Sequence, residues 1–318
     1  MATKIIAVDP GKFGVKAIHK DNSGTLQKIY FRSKLRELGP QEAFETQGNS
    51  IFIGYDGRRF IYGDQGVEDD RSLTKETMLH KIGLMSAISK CIEHGDTVKL
   101  LLGCPASIYK SKEARTKYKD FMTDGGELKF DDAKRTYNVL ISNTLVLPEA
   151  GGISALYSDY FKDSRVIVVD LGGLNMNCSV FNNMVLELDS LQTVNHGAFD
   201  IHKEIQVRFS AAFSRAFTRE DVESIIQQGG LYYQGAILPE SRTLLESIYM
   251  DFVEEIPNLI LGLGYDISIM KVVFIGGTSA FLGERLKTIA PHAVISQDNM
   301  YANSLGFFKI GEAKFSDL

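Results

Sequence analysis

The chain has 318 residues, of which 44% are hydrophobic and 24% charged, and its formal net charge is −5. This composition is typical of a soluble globular protein with room for two ordinary domains, and it excludes a disordered chain. The acidic balance argues against sequence-independent DNA binding by the whole surface, because phosphate contacts need a concentrated positive field.

The cysteines and the apolar runs indicate the compartment. Cys91, Cys104 and Cys178 show neither zinc-ligand nor disulfide spacing, as expected for a reducing cytosol. The N-terminus reaches a predicted strand within a few residues, without an apolar leader, and the longest apolar runs are too short to span a bilayer. We therefore expect a cytoplasmic protein with no membrane partner.

The first half of the chain is predicted to be rich in strands. A hairpin at 50–63 turns at Asp56-Gly57, a strong two-residue turn signal. A helix at 149–160 is expected to begin at Pro148-Glu149. The other predicted elements are strands at 4–9, 14–20, 26–31 and 98–103, helices at 76–93 and from Pro105 to about 122, and a hairpin with a strand in 126–147.

The second half repeats the pattern of the first. The segments IIAVDPGKFGVKAI and VIVVDLGGLNMNCSV both contain an apolar strand, an Asp, a glycine turn and a returning strand, half a chain apart. This repeat predicts two similar domains. The predicted elements are strands at 165–170, 175–182, 185–193 and 271–275 and helices at about 197–211, 218–227, 238–262 and 299–313.

Each repeated turn places one carboxylate, Asp9 or Asp170, at the carboxyl end of a buried strand, where open α/β sheets bind ligands. Glycines in the turn allow backbone N–H groups to approach an anion, and magnesium commonly bridges a carboxylate and a phosphate. Lys12 and Lys16 add positive charge. A single turn of this kind is usually only a tight hairpin, but two at half-chain spacing favour a phosphate site.

A third strand runs into Gly276-Gly277-Thr278, a turn that allows a flat ring to approach the backbone. At this point the sequence resembles the actin, sugar kinase and heat-shock chaperone superfamily. Each motif is weakly specific alone, whereas the ordered set is highly specific. The set comprises two phosphate loops (Asp9 to Lys16 and Asp170 to Gly173), two connecting helices (Leu147 to Gly152 and Ala302 to Gly306) and an adenosine motif (Phe274 to Thr278).

Within the superfamily, the short chain and the sequence Asp-Leu-Gly-Gly resemble the bacterial actin-like proteins of the ParM group, and FIGYDGRRFIYGDQG resembles their small outer subdomain. The resemblance implies an α/β actin-like ATPase fold, with two related ribonuclease-H-like domains and a nucleotide cleft between them. Domain I would cover 1–164, with an outer subdomain inserted at about 33–95 and a C-terminal helix at about 299–318 packing back on it. Domain II would cover 165–298.

The resemblance also implies ATP, with GTP as the alternative, and Mg²⁺ as cofactors. Asp9 and Asp170 would position magnesium through water, and Glu149 would orient the attacking water, unless it is only an acidic residue of a first helical turn. For Lys12, Lys203 and Glu204, the alternative to ligand binding is that each is only a solvated charge on the surface. The implied phosphate contacts are Gly11, Lys12, Phe13, Gly14, Lys16, Gly172, Gly173, Leu174 and Asn175, and the implied nucleoside contacts are Lys203, Glu204, Gly276, Gly277 and Thr278.

One position departs from the superfamily pattern. Relatives usually continue the second loop with Thr and then Asp, whereas this chain has Asn175 and Asn177 after Leu174 and Met176. Because Asn177 supplies no charge to magnesium, we expect slow hydrolysis or a metal that relies on Asp9 and Asp170 alone.

The function implied by the resemblance is an ATP-hydrolysing protein that polymerises into filaments. It would segregate plasmid DNA through a small DNA-binding adaptor of the ParR type, without binding nucleic acid directly. The alternatives are a sugar-type kinase, which needs a catalytic Asp for the sugar hydroxyl, a chaperone-like ATPase, which needs a peptide-binding domain, and a non-hydrolysing nucleotide-binding scaffold.

Overall fold

The computed structural model describes residues 2–67 and 74–315. Met1, residues 68–73 of the predicted insertion at about 33–95, and residues 316–318 of the predicted terminal helix lie outside the described residues. The chain divides into two compact units. Unit 1 comprises Met1–Ser164, Phe181–Leu191 and Met300–Leu318, and unit 2 comprises Arg165–Val180 and Gln192–Asn299.

The described strands follow the predicted apolar runs closely. They are β1 (Thr3–Pro10), β2 (Gly14–Lys20), β3 (Leu26–Arg32), β4 (Leu35–Leu38), β5 (Ser50–Tyr55), β6 (Arg58–Gly63), β7 (Thr97–Cys104), β8 (Glu127–Asp131), β9 (Thr136–Pro148), β10 (Arg165–Leu171), β11 (Met176–Asn182), β12 (Val185–Val194), β13 (Tyr232–Tyr233), β14 (Ala236–Ile237), β15 (Lys271–Ile275) and β16 (Val294–Ile295).

The described helices connect and cover these strands, and none of them has the length and apolarity needed to cross a membrane. They are α1 (Met78–Ser89), α2 (Ala106–Tyr109), α3 (Lys112–Thr123), α4 (Ile153–Leu156), α5 (Ser158–Phe161), α6 (Ala198–Phe213), α7 (Arg219–Gln228), α8 (Pro239–Gly262), α9 (Gly277–Leu282) and α10 (Ala302–Phe315).

The first sheet, as far as the chain is described, has the strand order β3-β2-β1-β7-β9-β8-β5-β6-β4. Its centre is parallel, since β1 pairs with β7 and β7 with β9 in that sense, whereas β2 and β3 are antiparallel. Strand β1 is buried on both faces. Ile6 and Val8 pack in the cluster that contains α1, whereas Ala7 packs in the cluster that contains Phe307 of α10. Helices on both faces therefore explain the continuous apolar run.

The second sheet has the order β12-β11-β10-β15-β16 within the described residues. This order repeats β3-β2-β1-β7-β9 of the first sheet strand for strand, and β10, β15 and β16 are parallel neighbours as β1, β7 and β9 are. The internal repeat predicted from the two Asp-containing segments is therefore confirmed at the level of topology.

The prediction that a helix covers 149–160 is wrong at the start of that helix. Strand β9 continues to Pro148, which pairs with Cys104 of β7, and Ala150 has a φ of 63° that is incompatible with a helical turn. Helical structure begins only at Ile153, in two short helices. Proline at a helix start is common, but here the pairing with β7 determines the local structure.

Candidate functional site

Three neighbouring parallel strands of unit 1 deliver their last residues to one edge of the sheet. Val8 of β1 pairs with Leu102 of β7, and the N–H of Glu149 donates to the Cys104 carbonyl at 2.9 Å. Asp9, the penultimate residue of β1, and Glu149, which follows β9, therefore flank the end of β7. Burial, followed by the Glu149 carboxylate, raises the pKa of the Cys104 thiol to about 12, so the thiol adds no charge.

A buried lysine lies between the two carboxylates. The Nζ of Lys75 forms an ion pair with Oε1 of Glu149 and lies 3.6 Å from Oδ1 of Asp9, and the residue is only 3% exposed. Burial alone lowers the pKa of Lys75, but the charges of Glu149 and Asp9 outweigh it and raise the pKa to about 12. Lys75 is therefore a fixed cation. Lys75 was not predicted, because no sequence pattern distinguishes it from a surface lysine before a helix.

A second lysine and a histidine belong to the same environment. Burial, followed by the charges of Lys75 and Lys12, lowers the pKa of His80 well below its usual range. The ring is neutral at physiological pH, with Nδ1 2.8 Å from the Thr77 hydroxyl. The ammonium nitrogen of Lys12 is shielded from solvent, which contradicts the alternative of a solvated surface charge.

The turn between β1 and β2, residues 10–14, is termed loop 1. A Cβ on Gly11 would lie 2.7 Å from the Gly14 carbonyl and 2.9 Å from Nζ of Lys16, and a Cβ on Gly14 would overlap the Tyr30 ring. Both positions thus need glycine, and the ammonium of Lys16 lies against the turn. Of the site residues predicted in unit 1, the structure brings together Asp9, Glu149, Lys16 and loop 1.

Loop 1 is also held from the end of β3. The Arg32 guanidinium lies 4.1 Å from the centre of the Phe13 ring. The Ser33 N–H donates to the Phe13 carbonyl at 3.1 Å, and its hydroxyl donates to the Gly11 carbonyl at 2.6 Å. The Tyr62 hydroxyl donates in turn to Ser33 Oγ at 3.0 Å. Neither Ser33 nor Tyr62 was predicted, because a single hydroxyl carries no spacing signal in the sequence.

The chain after Glu149 is fixed by the terminal helix. The N–H of Ala150 donates to Oδ1 of Asn303 at 2.8 Å. A Cβ on Gly152 would lie 2.7 Å from the backbone of Gly306, so α10 approaches this turn more closely than any side chain permits. The two motifs predicted to form connecting helices thus meet at these glycines.

In unit 2, the strand end at Asp170 pairs with Ile275 of β15, and Asp170 is 5% exposed. Gly276 has a φ of 96°, and a Cβ there would overlap Oδ1 of Asp170 and the Leu171 carbonyl. The Thr278 hydroxyl donates to the Gly172 carbonyl at 2.7 Å. The second phosphate motif and the adenosine motif are therefore directly connected.

The second glycine turn also rests on the start of α6. The carbonyls of Gly172 and Gly173 accept hydrogen bonds from the N–H groups of Ala198 and Phe199 at 3.1 and 2.9 Å. Within the turn, the Gly172 N–H donates to the Asn175 carbonyl at 2.9 Å. The carbonyls of Gly172 and Gly173 are thus bonded inward, and the residues of the turn, which include Leu174, are half-buried.

The remaining predicted positions of unit 2 differ in their surroundings. Apart from its chain neighbours and the backbone of its own helix, no heavy atom of the described residues lies within 4 Å of a Cβ built on Gly277, so space is open beside the adenosine motif. Lys203 is exposed on α6, and Glu204 forms an ion pair with Arg208 at 3.0 Å. The Asn177 side chain accepts a hydrogen bond from the Thr193 hydroxyl at 2.8 Å. Asn177 therefore joins two strands.

The comparisons with known proteins agree with this geometry. Residues 7–152 match the family described as the N-terminal domain of actin like proteins. The Alp12 filament structure is 27% identical, with a TM-score of 0.73, and the match covers 98% of this chain and 99% of that chain. No curated protein sequence gives a significant match.

Two further solved structures share the fold at lower identity. A 15-stranded ParM filament from Clostridium botulinum is 18% identical, with a TM-score of 0.77 over 98% of this chain and all of the other. Ta0583, an archaeal actin homologue in complex with ADP, is 16% identical, with a TM-score of 0.75 over 97% and 99%. The predicted actin-like fold is therefore confirmed.

Proposed function

We propose, for a chain whose sequence and fold are those of a ParM-like bacterial actin, that it binds and hydrolyses ATP with Mg²⁺ and polymerises into filaments. The observation that carries the proposal is the buried group of Asp9, Lys75 and Glu149 beside loop 1. The names of the similar Alp12 and ParM filament structures support self-association, and the ADP complex of Ta0583 supports an adenine nucleotide.

The donor set of unit 1 fits a magnesium nucleotide better than a metal held by protein alone. Oδ1 of Asp9 is buried, and no group in the described part of the chain hydrogen-bonds to it. Residues 2–67 and 74–315 contain no cluster of three or more His, Cys, Asp or Glu side chains that could hold an ion. One carboxylate per loop suits magnesium, which keeps several waters and is completed by phosphate oxygens. When bound, the ion would neutralise part of the phosphate charge.

Each residue of unit 1 has a role that follows from its surroundings. Glu149 would accept a hydrogen bond from the attacking water, because the carboxylate is 15% exposed and Lys75 holds one of its oxygens. Lys16 and the N–H groups of loop 1 that follow Gly11 would bind phosphate oxygens, since Gly11 and Gly14 allow close backbone approach.

In unit 2, Asp170 would position the magnesium through water, and the turn from Gly172 to Asn175 would bind the phosphates. Gly276, Gly277 and Thr278 would contact the nucleoside, and the open space at Gly277 supports that assignment. Lys203 remains available to a ligand, whereas the ion pair of Glu204 with Arg208 favours a surface role for the glutamate. A cytoplasmic filament that segregates DNA through a small adaptor of the ParR type is the biological role proposed.

Light scattering and phosphate release, measured together on the purified protein with magnesium and ATP, test the proposal. We expect a prompt rise in scattering followed by phosphate release, and GTP in a parallel arm reports nucleotide choice. Asp9→Ala should abolish both signals, whereas Asp120→Ala, which removes a half-exposed carboxylate of α3, should leave phosphate release unchanged. ADP production that depends on an added sugar, without scattering, would instead identify a kinase.

A further inference from the structure

We propose that Ser33 is a positioning residue for loop 1, which it fastens in the conformation that exposes backbone N–H groups to phosphate, and that Tyr62 fixes the direction of its hydroxyl. This inference rests on the proposed function for its ligand. Its structural part, the fastening of the loop, stands on the hydrogen bonds of unit 1 alone.

Ser33 uses both its backbone N–H and its hydroxyl to hold the same turn. Its N–H donates to the carbonyl of Phe13, and its hydroxyl donates to the carbonyl of Gly11. Two carbonyls of loop 1 are thereby satisfied from the β3 side. Pro10 has no N–H, and the Gly11 N–H donates to the Asp9 carbonyl at 3.0 Å, so the N–H groups that follow Gly11 are the ones the turn can present to an anion. With its carbonyls occupied, the turn does not need to reorganise when the anion arrives.

The hydrogen bonds of the Tyr62 and Ser33 hydroxyls have only one possible donor–acceptor direction. A carbonyl only accepts, so the single proton of the Ser33 hydroxyl must point to Gly11. Tyr62 must then donate to Ser33 Oγ, and its phenol is suited to that role because burial raises its pKa above the usual range. Both residues are 1% exposed, so water does not replace either hydrogen bond.

The Tyr62 hydroxyl is in close contact with helix α1. A Cβ on Gly83 of α1 would lie 2.5 Å from the Tyr62 hydroxyl oxygen, so glycine at this position leaves the phenol the space it occupies. Helix α1 thus sets the position of a hydroxyl that acts through Ser33 on loop 1. The same helix begins just after Lys75 and contains His80, so both sides of the proposed phosphate site depend on its packing.

The test compares Ser33→Ala with Ser86→Ala, a matched control in unit 1 whose fully buried hydroxyl donates to the Ile82 carbonyl at 2.8 Å. Hydrogen exchange of the peptide covering residues 10–16 is measured without nucleotide, and the dissociation constant of a fluorescent ATP analogue is measured with magnesium. We expect Ser33→Ala to speed exchange and to weaken binding about three- to tenfold, with kcat little changed, because one oriented hydrogen bond is lost. Ser86→Ala should change neither.

Three further variants keep the test decisive if Ser33→Ala folds poorly. Ser33→Thr keeps the hydroxyl and should restore binding, whereas Tyr62→Phe and Gly83→Ala should speed loop exchange without altering Ser33. Exchange and binding in Ser33→Ala that match those of Ser86→Ala would overturn the inference. If the unaltered protein bound no nucleotide, the proposed function would fail, and loop exchange would still decide whether Ser33 fastens loop 1.

Discussion

Replacing Lys75 by Met removes the buried ammonium and keeps most of the aliphatic side chain. In the structure the Lys75 side chain is 4% exposed, Asp9 8% and Glu149 15%, so two carboxylates would lose their shared cation in a poorly hydrated place. Removing one partner of a buried ion pair costs about 3–5 kcal/mol. We expect a value near the lower limit, because the partly exposed Glu149 can turn towards water.

Thermal unfolding followed by circular dichroism at neutral pH measures this cost, which corresponds to a fall in Tm of about 6–12 °C at roughly 2–4 °C per kcal/mol. Lys81→Met is the matched control. Lys81, which lies in α1, is likewise a buried lysine, but its partner Asp124 is 30% exposed and easily hydrated, so a smaller loss is expected.

A double-mutant cycle with Glu149→Gln identifies the partner. A neutral amide needs no counter-charge, so Lys75→Met should cost less than half as much in the Glu149→Gln background as in the unaltered protein. Equal costs in the two backgrounds, or a loss no greater than that of Lys81→Met, would refute the assignment of Lys75 as the cation that holds Glu149.

Two other predictions concern stability. The pKa of His80 is lowered in the folded state, so the unfolded chain binds more protons, and stability present above pH 6.5 is lost as the pH falls below it. From pH 7.5 to 5.5 the unaltered protein should lose more stability than His80→Gln in denaturant titrations, by on the order of 1 kcal/mol, and equal losses would contradict this sign. Gly306→Ala should destabilise by about 1–3 kcal/mol, because its Cβ would overlap the Gly152 carbonyl. Gly262→Ala, which meets no described atom within 4 Å, should stabilise α8 by up to about 1 kcal/mol, and a similar gain for Gly306→Ala would refute the close approach.

The sequence predicted the part of the site that lies at strand ends. An apolar run that stops at Asp9 or Asp170 predicts, to within about one residue, where a buried parallel strand ends, and neighbouring parallel strands end at one edge. The position of Glu149 follows from the same rule, although its helical surroundings were predicted wrongly. A local pattern could not show that the pairing of β9 with β7 continues through Pro148.

Lys75, Ser33 and Tyr62 were not predicted, because they reach the site through packing between elements. Lys75 precedes a helix that lies on the sheet, and the Tyr62 hydroxyl reaches Ser33 from β6. Asn303 was accessible from sequence, since it lies within the second connecting motif. The hydrogen bond from Ala150 shows what that motif does, which is to hold the turn that follows Glu149.

The negative net charge of the whole chain does not describe the charges around loop 1. The protein carries a formal net charge of −5, yet three lysines, Lys12, Lys16 and Lys75, are set against two carboxylates, Asp9 and Glu149. Since Lys12 and Lys75 are shielded from solvent, their charges are screened less by salt than those of surface residues. These three lysine charges of the described residues agree with the polyphosphate ligand proposed above, and the net negative charge of the whole chain is compatible with them.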